Sequence, residues 1–276
     1  MKALRWIALG GVLAFLAFCV TWRLDGGRWE YVETPSMGKV APVGSLLWIT
    51  PTDFDRLKVG DFITFHPPGN DEVTYSHRVH QVHDDGTITT KGVISAPDPW
   101  PLHKTEVVGQ VRMNWWGVGW LVVAGPVLIV GFLLVGLVRS FVRRQWKLPV
   151  TLVLGSIALS VAIVIYQPFV NARQLAFAAT PGGGADATYV GTGLLPIRLK
   201  ANQGPSVVLS DGEVGTVHVS KADKEHRLRV ELTPAFPFWW WIVLVLACFS
   251  PAVCSLVIGT RRRVQPSSVG TPQKSA

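Results

Sequence analysis

Four apolar runs, 4–22, 116–138, 148–166 and 238–259, set the limits on what this chain can become. Each is about as long as an α-helix that crosses ~30 Å of hydrocarbon. Composition agrees, because only 16% of residues are charged against ~25% in soluble domains. The first run is flanked by Lys2, Arg5 and Arg23. It is long for the apolar core of a cleaved leader, and no A-x-A-like site follows it, so a retained anchor is expected. Past Arg5 the runs hold no Asp, Glu, Lys, Arg or His. Ion and solute pathways need such groups, so a transporter is not expected.

Charge orients the runs. The segments 1–5, 139–147 and 260–276 hold ten basic residues and no acidic one. All 18 acidic residues lie in 23–115 and 168–237, against 16 basic ones. The positive-inside rule then puts both termini and the 260–276 tail in the cytoplasm, with 23–115 and 168–237 outside. The net charge of +8 reads as this cytoplasmic bias. A lipid bilayer is therefore the expected partner, and nucleic acid is not. Trp115, Trp116, Trp120, Trp239, Trp240 and Trp241 fall at the outer ends of their runs, as an interfacial aromatic belt would. Cys19, Cys248 and Cys254 all sit inside apolar runs and form neither a disulfide framework nor a metal-binding pattern.

Both outer segments read as β. In the first, β-branched and aromatic runs at 45–50, 61–66, 74–83, 86–92 and 107–113 are separated by turn signals such as Asp84-Asp85-Gly86 and Pro97-Asp98-Pro99. In the second, 178–187 is rich in Gly and Ala and reads as flexible. Strands are expected after it at 188–191, 194–199, 206–209, 216–219 and 226–232. So small a domain is marginal alone and is expected to lean on the first domain or on the membrane. The fold class expected is a multi-pass membrane protein with four transmembrane helices and mainly-β extracytoplasmic domains.

Ser36, His77 and Asp98 follow one another on 36–98, shortly after the first apolar run. A serine hydroxyl is a weak nucleophile until a base takes its proton. Histidine titrates in the right range to be that base. A carboxylate can fix the imidazole tautomer, and backbone N–H groups can hold an oxyanion. Spacing alone does not select these three: a Pro-Ser-Met turn, a strand histidine and an Asp between prolines all have ordinary structural readings. His77, His83 and Asp84 are a second grouping. By period two, 77 and 83 share a strand face, but His80 faces the other way and no metal pattern supports them.

The motifs add what spacing lacks. Pro35-Ser36-Met37, Pro-Val-Gly-Ser-Leu-Leu at 42–47, Leu-Lys-Val-Gly-Asp-Phe-Ile-Thr-Phe at 57–65, Ser76-His77-Arg78-Val79, Thr90-Lys91-Gly92 and Pro-Asp-Pro-Trp-Pro-Leu at 97–102 occur in this order. Together they resemble type I signal peptidase, in the branch of the endoplasmic reticulum, archaea and some Gram-positive bacteria that pairs serine with histidine. The resemblance covers 34–112. It implies a signal-peptidase-like β fold and a serine endopeptidase that removes signal peptides from exported preproteins. In those terms Ser36 matches the nucleophile, His77 the general base and Asp98 the orienting acid, and Met37 is the methionine of the substrate-binding region. Metal and organic cofactors are not required. Two departures stand out: Val93 occupies the place of a family aspartate, and Gly38-Lys39-Val40 replaces the family's usual residues beside the substrate groove.

Other readings stay open at this level. One is a non-catalytic membrane-anchored β scaffold that binds exported or envelope proteins. Another is a Ser/Lys peptidase using Lys39 or Lys91. Ala176-x-Ala178 fits the pattern such enzymes cut, and also fits an Ala-rich linker. For 168–237 three roles are open: gating substrate, contacting a partner subunit, or bracing the catalytic segment.

Overall fold

The computed structural model describes residues 2–181, 183–201, 205–220 and 229–250. Two compact units result, Met1–Val123 with Gln167–Phe236, and Ala124–Tyr166 with Pro237–Ala276.

The first unit is mainly β. Helix α1 (Lys2–Leu24) enters it. The segment 23–115 then supplies β1 (Arg28–Tyr31), β2 (Leu46–Thr50), β3 (Phe62–Phe65), β4 (Tyr75–Val82), β5 (Ile88–Lys91) and β6 (Val107–Trp115). They make one antiparallel sheet in the order β1-β2-β6-β3-β4-β5. β1 is a strand the sequence pattern did not mark. Its Arg-Trp-Glu-Tyr run is short and polar enough to pass for a connector, and pairing with β2 makes it an edge strand.

β3 serves two apolar clusters because successive strand residues face opposite ways. Ile63 and Phe65 pack with Phe54, Leu57, Val79, Ile88 and Leu102. Phe62 packs with the cluster of Met37, Ala41, Leu47 and Ile49. Burying a side chain of this size contributes ~1.5–3 kcal/mol, so both clusters hold β3 against its neighbours.

The end of α1 is tied to the same sheet by aromatic rings. Trp22 meets Trp48 edge-on at 4.4 Å between centroids, and Trp48 meets Trp115 at 5.3 Å. Each such pair is worth ~0.5–1.5 kcal/mol beyond burial. Trp120, expected in a lipid-facing belt, is instead buried and packs on Tyr31 at 5.6 Å. Its large apolar ring finds a protein partner because Tyr31 stands at the end of β1.

The segment 167–236 contributes two three-stranded sheets to the first unit. One is β11 (Val214–Val219), β8 (Gly184–Gly191) and β7 (Ala172–Thr180). The other is β10 (Val207–Leu209), β9 (Ile197–Ala201) and β12 (Val230–Pro234). Ile197, Leu199, Leu209, Val217 and Val219 form the cluster between them. The 178–187 stretch expected to be flexible is a hairpin: β7 pairs antiparallel with β8 from Ala172↔Gly191 to Thr180↔Gly184. Alanine and glycine favour strands poorly, but here Ala185 and Ala187 are fully buried on β8. Ala176, of the Ala-x-Ala pattern, lies in this paired strand opposite Thr188.

The described residues of the second unit are mostly helical. α2 (Val118–Phe141) runs into it, and α3 (Lys147–Tyr166) follows a short turn at Arg144–Trp146. These two are long and apolar enough to cross a membrane. α4 (Phe238–Cys248) is shorter. Residues 251–259 of the expected 238–259 run and the 260–276 tail lie outside the described residues, as does Cys254.

Candidate active site

Pro35 begins the local structure that presents Ser36. A residue before proline is steered to extended backbone, and Thr34 has φ −115° and ψ 147°. Pro35 then starts a tight helical turn, Pro35–Val40, which kinks at Gly38. Two contacts hold the turn at Ser36. The Ile94 N–H donates to the Ser36 carbonyl at 3.0 Å. Gly92 lies so close that a Cβ there would sit 2.7 Å from the Ser36 carbonyl oxygen and 3.1 Å from its Cβ. Glycine in Lys91-Gly92 is therefore a steric requirement of the serine beside it.

His77 is placed by strand pairing. It lies opposite Ile63 on β3, in register between Arg78↔Phe62 and Ser76↔Thr64. Its ring is packed by Phe65 and Tyr75, each at 6.0 Å between centroids, and the residue is 5% exposed. Asp98 comes from the loop after β5. Its N–H donates to the Thr90 carbonyl at 2.8 Å, and Lys91 bridges to Pro97. The loop is thus folded back along β5, which is itself paired with β4.

These three supports bring the side chains into a line. His77 Nε2 is 2.9 Å from Ser36 Oγ, and His77 Nδ1 is 2.7 Å from Asp98 Oδ2. A carboxylate can only accept, so Nδ1–H donates to Asp98 and the lone pair of Nε2 faces the serine hydroxyl. The same Asp98 oxygen accepts from Thr90 Oγ1 at 2.5 Å. Thr90 is fully buried and belongs to the site, a role the sequence did not assign to it. Its signal in the sequence is the Thr90-Lys91-Gly92 motif, which does not say what the hydroxyl does.

The other residues singled out fall elsewhere. Met37 is 2% exposed within an apolar cluster and also lines the cavity beside Ser36. Val93 is half exposed, and no hydrogen bond above involves it. Lys39 Nζ is 3.1 Å from Glu213 Oε1, whereas the serine hydroxyl meets His77. Lys91 lines a separate surface cavity with Arg78 and His80. His83 follows the end of β4, and a register shift between Val79 and Gln81 breaks the alternation that would have put it on the face of His77. Among the described residues no group of His, Cys, Asp and Glu is placed to hold a metal ion.

A cavity of about 570 Å³ opens beside Ser36. Residues 29–34 form one wall and 72–76 the other, over a floor of Met37, Ala41, Leu47 and Phe62. The walls carry Glu30, Glu33 and Glu72. Burial raises the Glu30 carboxyl above its ordinary range, opposed by a hydrogen bond from Thr74. Burial, with the Glu33 charge, pushes the Tyr31 phenol up to about 12.

Compared with protein-family models and with curated proteins, the chain finds no match.

Proposed function

We propose that this chain is a multi-pass membrane serine endopeptidase, a type I signal peptidase with a Ser36 nucleophile and a His77 general base. Its substrates are preproteins that carry signal peptides. The observation that carries the reading is the single hydrogen-bonded line from Ser36 Oγ through both imidazole nitrogens to Asp98 Oδ2, at 2.9 and 2.7 Å.

The preprotein lies extended in the cavity between 29–34 and 72–76. β1 is an edge strand, so its free backbone groups can pair with an extended chain by β-augmentation. The floor admits small side chains next to the scissile bond. Ser36 Oγ attacks the carbonyl carbon while His77 Nε2 takes the hydroxyl proton, and Asp98 stabilises the imidazolium. The first N–H groups of a helical turn have no partner within it. Those at Ser36 and Met37 hold the oxyanion of the tetrahedral intermediate. Collapse breaks the C–N bond, and the imidazolium protonates the leaving amine. Water, deprotonated by His77, then releases the acyl group from Ser36.

In this reading the four apolar runs 4–22, 116–138, 148–166 and 238–259 are transmembrane, and both termini are cytoplasmic. The catalytic segment 23–115 faces outward, where the apolar core of a signal peptide ends. The test is cleavage of a signal-peptide reporter by the full chain in detergent. Site-specific cleavage by the wild type, lost in Ser36→Ala and in His77→Ala, is expected. Full activity in either variant overturns the assignment.

A further inference from the structure

The turn that carries Ser36 is held from outside its own sheet. At Gly38 the backbone takes φ 51° and ψ −134°, a reversal open to glycine alone. Ile94 packs on one side of this reversal: a Cβ on Gly38 would lie 3.0 Å from Ile94 Cγ2. Gly212 closes the other side. A Cβ on Gly212 would lie 2.5 Å from the Gly38 carbonyl carbon and oxygen and 2.6 Å from the Lys39 nitrogen. The two backbones are therefore in direct contact, two residues from the nucleophile.

Several bonds fix the 211–213 turn in that place. The Gly212 N–H donates to the Gly191 carbonyl at 2.8 Å, and the Gly191 N–H donates to the Glu213 carbonyl at 2.9 Å. This ties the turn to the end of β8. Trp116 Nε1 donates to Asp211 Oδ2 at 2.7 Å. Glu213 accepts from the Ser210 N–H at 3.0 Å and pairs with Lys39, the residue after the reversal, at 3.1 Å. Just before Trp116, Asn114 Nδ2 donates to the Val40 carbonyl at 2.7 Å. The end of β6 and the stretch that follows it thus hold both the far end of the Ser36 turn and the 211–213 turn.

We propose that the Asp211-Gly212-Glu213 turn is a positioning element for the reaction: it seats the Gly38 reversal and so keeps Ser36 Oγ within reach of His77. This gives the segment 167–236 a role in catalysis although none of its described residues is bonded to the Ser36, His77 or Asp98 side chain. The inference rests on Ser36 being the nucleophile. With Val93 and Ile94 beside Gly38, the turn has apolar packing on one side and this backbone seat on the other.

The test compares two glycine substitutions in the full chain. Gly212 and Gly86 both have left-handed backbone, with φ 70° and 79°. A Cβ on Gly86 would meet nothing within 4 Å. Gly212→Ala and Gly86→Ala therefore share the conformational cost, and only the first disturbs the Ser36 turn. The readouts are the rate of Ser36 labelling by a fluorophosphonate, kcat and KM on a signal-peptide reporter, and Tm. Gly212→Ala is expected to slow labelling and lower kcat by about tenfold to a hundredfold, the scale of an ångström's misplacement. KM should stay near the wild-type value, and Gly86→Ala should label at the wild-type rate. If Gly212→Ala does not fold, Glu213→Lys, which sets two cations face to face, is expected to slow labelling. The exchange Lys39→Glu with Glu213→Lys should then restore it. Equal labelling rates in wild type, Gly212→Ala and Glu213→Lys overturn the positioning role alone. A wild type that neither labels nor cleaves overturns the peptidase reading, and this inference with it.

Discussion

Two histidine–aspartate pairs in this chain have nearly the same length and very different settings. His77 Nδ1 lies 2.7 Å from Asp98 Oδ2, and His218 Nδ1 lies 2.8 Å from Asp186 Oδ1. The His218–Asp186 pair is a cross-strand neighbour pair, opposite in register on β11 and β8, with side chains 52% and 46% exposed. The other spans a loop and a strand, with side chains 6% and 12% exposed. Water screens an exposed pair, which is worth ~0–1 kcal/mol. In a buried pair the same charges act through a lower dielectric. The Asp98 oxygen is also held by Thr90, and the free imidazole nitrogen of His77 meets a hydroxyl. Among the described residues no hydroxyl is bonded to the other nitrogen of His218. Distance alone therefore does not make a catalytic pair. Burial, a third partner and a nucleophile on the far nitrogen do.

The sharpest way to break this comparison is to remove the nucleophile or the base. Ser36→Ala and His77→Ala should each lower kcat by about a million-fold, the scale for either member of such a unit. Reporter cleavage under single-turnover conditions reads this directly. Asp98→Asn should cost about 10⁴-fold, because an amide no longer fixes the tautomer with Nε2 bare. If Asp98→Asn cleaves at the wild-type rate, the buried pair is no more catalytic than the exposed one.

Thr90→Val tests the third partner. It keeps the shape of the side chain and removes a hydrogen bond to a carboxylate, worth ~1.5–3 kcal/mol. A loss in kcat of about tenfold to a hundredfold is expected, with the Ser36–His77 contact retained.

Asp211 is partly buried, and pH exposes its environment. Burial pushes its carboxyl up to about 6 from 3.8, against hydrogen bonds from Trp116 and Gly212. The folded chain then keeps a proton that the unfolded chain has released, so this group costs stability as pH rises from about 4 to about 6. Asp211→Asn should match the wild-type Tm near pH 4 and exceed it at pH 7. A Tm difference that does not change with pH would show that this carboxyl is not held in its protonated form. The smallest effect is expected at the exposed pair. Asp186→Asn and His218→Ala should leave kcat unchanged and shift stability by no more than about 0.5 kcal/mol.

The strands that formed where the pattern marked them are those whose residues alternate or cluster as β-branched and aromatic, such as Phe62–Phe65 and Tyr75–Val82. The two that escaped notice had weak local signals. β1 is polar, and β7 is alanine-rich and exposed along most of its length. Partners decide such strands: β2 for the first, the buried alanines of β8 for the second. Trp120 shows the same limit from the other side. Its place near the end of an apolar run looked like a lipid interface, but the ring of Tyr31 claimed it.

The candidate site was legible in part. Ser36, His77 and Asp98 could be named because motifs of fixed order surround them. Thr90 lies in such a motif too, but its part was not legible, because its hydroxyl matters only once the loop to Asp98 folds back along β5. Gly212 was further from view still, since it lies 174 positions after Gly38, the residue it touches.

What the sequence alone determined is whatever depends on near neighbours. That includes the apolar helices, the alternation of the first sheet and the proline-led turn at Ser36. Tertiary structure alone decided which nitrogen of His77 faces Ser36, which hydroxyl steadies Asp98, and what seats the Gly38 reversal. Hydrogen bonds and steric contact fall off within a few ångströms, so each of these waits on register and loop closure to bring distant residues within that range.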